Sequence, residues 1–160
     1  MGWRRTVVQG DFVVSNDPGA EFTTVLGSCV SVCLHDPVAQ VGGMNHFLLP
    51  EPTPGESPAT KILSAGRYGS ESIPALIRML EKRGADPARL RARIYGGAET
   101  PGRQHQPGPM NSARARAELA RRGITVVEES VGGLSARRVD FAPSTGVTRL
   151  TIVDRTEEAA

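Results

Sequence analysis

Two extended runs hinged on one Asp-Pro turn constrain this chain more than any other feature. Residues 23–35 are rich in Val, Thr and Cys, residues 41–49 follow the pair Asp36-Pro37, and Pro50 ends the second run. β-branched residues suit the pleated, half-buried surface of a sheet. Asp and Pro suit the first two positions of a type I turn. An antiparallel hairpin is therefore predicted, interrupted at Gly27-Ser28. With Pro37 and Val38 at its tip, Cys29 falls opposite His46, and directly opposed side chains have Cβ atoms about 4.5–5.5 Å apart. A one-residue change in the loop would turn the two to opposite faces, so this register stays open.

The remaining pattern is mostly extended. Residues 6–15, 90–95 and 124–131 read as strands, and residues 137–141 and 147–153 as a hairpin around Ser144-Thr145-Gly146. Residues 70–83 carry Ile73, Leu76, Ile77 and Leu80 at helical spacing, with Ser70 to cap the start and Gly84 to end it. A second helix is expected over 112–122, with Ala113, Ala117 and Ala120 on one face. Residues 50–58 hold four prolines and read as a surface loop, as do residues 99–109. The expectation is an α/β or α+β domain over residues 1–155, with sheets covered by helices on one face and a frayed tail at 156–160.

Composition excludes several classes. A net charge of +2 is too small to mark a nucleic-acid binder. No apolar stretch approaches the roughly 20 residues of a membrane helix. Arg4 and Arg5 are followed by Val7, Val8, Gln9, Gly10 and Asp11, which is no secretory core, so a cytoplasmic location without membrane insertion is expected. The two cysteines, Cys29 and Cys33, would lie about 13 Å apart on one strand, too far to bridge. Free thiols fit a reducing compartment.

A hydrolytic cysteine needs a base and N–H donors for the tetrahedral oxyanion. His46 is the candidate base for Cys29, and the flexible Gly27-Ser28 pair offers unhindered amides beside the sulfur. A nearby imidazolium would lower the thiol pKa. Thr23, on the strand leading in, could orient the imidazole. Plainer readings stand beside these: a Cys in a Val-rich strand is commonly a small buried hydrophobe, and a lone His is commonly structural. Cys33 is assigned to the core, His35 to a solvated turn and His105 to the surface. Zinc bound by Cys29, Cys33, His35 and His46 is disfavoured because the thiols splay apart. Gly96-Gly97 and Gly132-Gly133 read as tight strand exits, since neither has the Lys or the third spaced Gly of a phosphate loop.

Leu26-Gly27-Ser28-Cys29-Val30, the Asp36-Pro37 turn and Gly42-Gly43-Met44-Asn45-His46-Phe47-Leu48-Leu49-Pro50 resemble the CheD family of chemoreceptor glutamine deamidases. Tyr68-Gly69, Ile94-Tyr95-Gly96-Gly97-Ala98, Gly132-Gly133 with Arg137, and the hairpin around Thr145-Gly146 extend the likeness over about residues 10–153. The resemblance implies a three-layer α/β domain of mixed sheets and two main helices, similar to the catalytic domain of cytotoxic necrotising factors. It implies Cys29 as nucleophile, His46 as base and Thr23 as third residue, with the adjacent Thr24 as the alternative. The implied reaction converts receptor glutamine to glutamate through a thioester, with no metal or organic cofactor. Some relatives also hydrolyse glutamyl methyl esters. Implied partners are the cytoplasmic helices of methyl-accepting chemotaxis receptors and a CheC-type phosphatase. The loop over 99–110 and Leu134-Ser135-Ala136 depart from the family's usual residues, which leaves receptor preference open. The rival readings are a non-catalytic chemotaxis adaptor and another cysteine hydrolase, such as a peptidase.

Overall fold

A computed structural model describes residues 2–52 and 65–153. In chain order it holds β1 (Trp3–Thr6), β2 (Phe12–Ser15), β3 (Ala20–Leu26), β4 (Val30–Asp36), β5 (Val41–Asn45), α1 (Gly69–Lys82), β6 (Arg91–Gly96), α2 (Pro107–Arg121), β7 (Thr125–Val131), β8 (Ala136–Phe141) and β9 (Thr148–Val153). The strands form two sheets, ordered β1-β3-β8-β9 and β2-β5-β4-β6-β7. Both are mixed: β1 runs parallel to β3 and β7 parallel to β6, while the other pairings are antiparallel. Both helices pack on the second sheet.

The alternation of β4 explains this layering. Val30, Val32 and Leu34 point to a core shared with Ile73, Leu76, Ile77 and Leu80 of α1 and Leu119 of α2. Cys29 and Cys33 point the other way, to a core between the sheets with Phe22, Leu26, Met44, Tyr95 and Phe141. Each large side chain buried this way contributes about 1.5–3 kcal/mol. Gly43 on β5 lets α1 approach, because a Cβ there would stand 2.7 Å from Leu76 Cδ1. The expected α+β domain of two sheets with helices on one face is thus present.

Several sequence expectations need correction. Residues 6–15 are not one strand: β1 belongs to the first sheet and β2 to the second, and residues 7–11 carry the chain across. Gly10, at φ 85°, makes that turn. The hairpin pairs Cys33 with Met44 and Asp36 with Val41, and a further bridge joins Val30 to Phe47. Cys29 is therefore opposite the position of Leu48, two residues from the expected partner. The cause is Asp36, whose buried carboxylate accepts from the N–H groups of Val38 and Ala39 and from Arg89, and so builds a longer loop. Burial works against ionisation of this carboxyl, but Arg89 and the amides of Asp86, Ala39 and Val38 outweigh it and hold its pKa well below the usual range.

Helix α1 begins at Gly69 rather than Ser70. Its N-cap is Tyr68, whose carbonyl accepts from Glu71 and Ser72, and Ser70 lies within the first turn. Helix α2 begins five residues earlier than expected, with Pro107 first, where a missing N–H costs nothing. Its buried face holds Asn111, Ser112, Ala115, Glu118 and Leu119, while Ala113, Ala117 and Ala120 are exposed. Most of the proline-rich loop over 50–58 and the tail over 156–160 lie outside the described residues.

Candidate active site

His46 follows β5 at the edge of the inter-sheet core. Its N–H donates to the carbonyl of Asp11 (3.1 Å), and its own carbonyl accepts from Gly10 (2.8 Å), so the crossing segment over 7–11 clamps its backbone. The ring is buried. Nδ1 lies 2.8 Å from Thr24 Oγ1 and 3.2 Å from the carbonyl oxygen of Val7. Thr24 Oγ1 donates its proton to that same carbonyl (2.7 Å). A carbonyl can only accept, and the threonine proton is already used, so Nδ1 must carry the imidazole proton. Nε2 is then the basic nitrogen, and it is buried with no hydrogen-bond partner among the described residues.

Cys29 lies in the turn that crosses from β3 in the first sheet to β4 in the second. Three successive carbonyls of this turn are held: Gly27 accepts from Ala98 N–H (2.9 Å), Ser28 from Asn111 Nδ2 (3.0 Å) and Cys29 from Gly97 N–H (2.9 Å). The peptides are trans, so each N–H points away from the carbonyl of its own plane. The N–H groups of Ser28 and Cys29 are thereby turned from these anchors and join no backbone hydrogen bond among the described residues. Gly96 and Gly97 adopt φ 110° and 65°, and a Cβ on Gly96 would meet Cys29 O at 2.2 Å. Buried Arg137 braces this exit by donating to the carbonyls of Gly96 (3.2 Å) and Gly132 (2.8 Å) and to Ser130 Oγ (3.1 Å).

The ladder ends at the Val30–Phe47 bridge; beyond it Cys29 packs in the inter-sheet cluster with Val7, whose carbonyl oxygen the His46 ring meets at 3.2 Å. Thiol and Nε2 are not hydrogen-bonded to one another. Burial pushes the Cys29 thiol up to about 11, against the pull of its own N–H. Burial also lowers the pKa of His46, against the Val7 carbonyl. Both shifts run toward the neutral forms, opposite to the lowered thiol pKa expected from the residues alone.

Thr24 rather than Thr23 meets the imidazole. Thr23 faces the other side of the first sheet, where it pairs with Asp140 and its hydroxyl hydrogen-bonds that carboxylate. Cys33 is core, at 2% exposure against 9% for Cys29, so Cys29 is the more accessible thiol. His35 is half-buried rather than solvated, with Nε2 3.0 Å from the Ser144 carbonyl oxygen. His105 is exposed. No metal-binding cluster occurs among the described residues, and no helix is long and apolar enough to cross a membrane. The sequence reading missed Val7, which acts through a carbonyl that any residue carries, and Asn111, a polar residue facing inward. Alternation could have favoured Thr24, which lies between Phe22 and Leu26 on the apolar face of β3.

A family model described as CheD chemotactic sensory transduction matches residues 48–151. A probable chemoreceptor glutamine deamidase CheD of Sinorhizobium medicae is 47% identical over 148 residues, covering 92% of this chain and 79% of that protein. Proteins of the same description from Caulobacter vibrioides and Zymomonas mobilis are 44% and 42% identical, over 92% and 94% of this chain and 76% and 81% of their own. Among solved structures, the hypothetical protein YfiH of Bacillus licheniformis matches with a TM-score of 0.50 at 17% identity, over 75% of this chain and 50% of its own, a likeness of fold alone.

Proposed function

Because the chain belongs to the CheD family, we propose that it hydrolyses glutamine side chains of chemoreceptors to glutamate, with Cys29 as nucleophile and His46 as base. The observation that carries this reading is the pair of contacts at His46 Nδ1. Thr24 and Val7 hold the proton on Nδ1 and leave Nε2 without a partner among the described residues, at the inter-sheet core in which Cys29 packs.

The reaction follows from that arrangement. Bound substrate brings the reacting groups together, since catalytic hydrogen bonds commonly tighten only in the substrate complex. Nε2 takes the thiol proton as sulfur attacks the carboxamide carbon. The N–H groups of Ser28 and Cys29 donate to the resulting oxyanion. The imidazolium then protonates the departing nitrogen, the C–N bond breaks, and ammonia leaves a glutamyl thioester. Water gives a proton to Nε2 and attacks the thioester, which releases glutamate and restores the thiol. A glutamyl methyl ester would form the same thioester and lose methanol, so methylesterase activity belongs to the same proposal. The substrates are the cytoplasmic helices of methyl-accepting receptors, the enzyme works in the cytoplasm, and a CheC-type phosphatase is a further partner.

The test is mass spectrometry of a chemoreceptor cytoplasmic fragment incubated with the protein, together with ammonia release. Amide-to-acid conversion at defined glutamines is expected, and Cys29→Ala or His46→Ala should abolish it. Conversion by Cys29→Ala at the wild-type rate would refute the mechanism. Backbone cleavage would point to a peptidase instead.

A further inference from the structure

We propose that Asn111 is a positioning residue that sets the oxyanion donor of Cys29, an inference that rests on the deamidase reading above. Asn111 stands in the second turn of α2 and is fully buried. Its Nδ2 donates to the Ser28 carbonyl at 3.0 Å and to the Leu48 carbonyl at 2.9 Å. The Ser28 carbonyl and the Cys29 N–H are opposite edges of one peptide plane. Holding the first therefore aims the second. A hydrogen bond accepted by the carbonyl also polarises the amide and makes its N–H a stronger donor.

The second bond adds a link across the site. Leu48 lies two residues beyond His46, so one side-chain amide ties the nucleophile's turn to the segment that carries the base. Asn111 Oδ1 is buried with no hydrogen-bond partner among the described residues. A side chain present only to fill space would not leave a buried acceptor orphaned, because apolar residues of similar volume avoid that penalty. Both donors of Nδ2 are in use, and they are what the position requires.

Asn111→Ala and Asn111→Ser test this in the full chain, with thermal unfolding to monitor the fold. Two rates are compared: deamidation of a glutamine-bearing chemoreceptor fragment, and alkylation of Cys29 by iodoacetamide across a range of pH. Alkylation forms an S–C bond and expels iodide without passing through an oxyanion. The expected result is a fall in kcat of about 10–100-fold with little change in KM, since outright removal of an oxyanion donor costs about 10²–10³. The rate and pH profile of alkylation should stay at the wild-type values. Wild-type kcat in a folded variant would overturn the proposal. So would a parallel loss of alkylation, which would place the effect on the thiol, or loss of the cooperative unfolding transition in both variants, which would assign Asn111 to the fold. A wild-type protein that deamidates nothing would instead sink the underlying reading, and this inference with it.

Discussion

Replacing Thr24 by Val removes one oxygen from the centre of the site and leaves the side-chain shape nearly unchanged. Thr24 is 2% exposed, so no water replaces the hydroxyl. Two bonds disappear: the 2.8 Å contact with His46 Nδ1 and the 2.7 Å donation to Val7. The Val7 carbonyl still accepts from Nδ1 at 3.2 Å, so the tautomer survives and the ring loses one of two restraints. Neutral hydrogen bonds contribute about 0.5–1.5 kcal/mol each. If about 1–2 kcal/mol of positioning is lost in the transition state, kcat falls about 5–30-fold. Thr23→Val makes the same chemical change one residue away, on the opposite face of β3. It removes a hydrogen bond to Asp140, which Arg138 and Arg149 also hold, and kcat should stay within about twofold of wild type. The assay is conversion of receptor glutamine to glutamate, followed by mass spectrometry under saturating substrate. A larger loss in Thr23→Val than in Thr24→Val would refute the geometry on which the base assignment rests.

Activity against pH gives an independent check. Burial lowers the pKa of His46, so the base stays deprotonated to pH values below its ordinary 6.5, and the acid limb of kcat/KM should lie below that value. The thiol, pushed up to about 11, should keep its proton through mildly alkaline pH, so no descending limb is expected near 8.5; a limb there would mark a thiolate–imidazolium resting pair. Gly96→Ala places a Cβ 2.2 Å from the Cys29 carbonyl oxygen at φ 110°. A cost of about 2–3 kcal/mol should lower Tm by roughly 5–10 °C, with loss of deamidation. Gly102→Ala, at φ 75° in open space, serves as the control: an equal fall in Tm and activity would show that the contact with Cys29 contributes nothing.

How much of this was legible in the sequence depends on which interactions are local. The stripe of Ile73, Leu76, Ile77 and Leu80 and the stop at Gly84 specify α1 by themselves. The existence of the β4–β5 hairpin was legible for the same reason. Its register was not, because the loop is set by what the Asp36 side chain does, and Arg89, more than fifty residues away, helps to hold that side chain. The break between β1 and β2 was hidden because Val7 and Val8 are as β-prone as Val13 and Val14, although only Thr6 of residues 6–15 belongs to β1 and residues 7–11 cross between the sheets. Within the candidate site, Cys29 and His46 carry distinctive chemistry, so the sequence alone could put them forward as candidates. Val7 contributes only a backbone oxygen, and Asn111 only acquires meaning once α2 lies against the Ser28 carbonyl.

The placement of the site follows from where the chain leaves its ladders. Inside a sheet nearly every N–H and carbonyl is committed to a neighbouring strand. The free groups this chemistry needs, two N–H donors and a carbonyl acceptor, arise only where the backbone departs from one. Two such departures line the inter-sheet core: residues 7–11 cross from β1 to β2 and supply the Val7 carbonyl, and residues 27–29 cross from β3 to β4 and carry Cys29, the proposed nucleophile, with its amides. Thr24 belongs to the first sheet and His46 follows a strand of the second, so their 2.8 Å contact spans the inter-sheet core. The proposed base is thus aimed by the way the two sheets pack. A substitution that shifts one sheet against the other, such as a cavity beneath Phe22 or Met44, should misdirect His46 without touching any residue of the site.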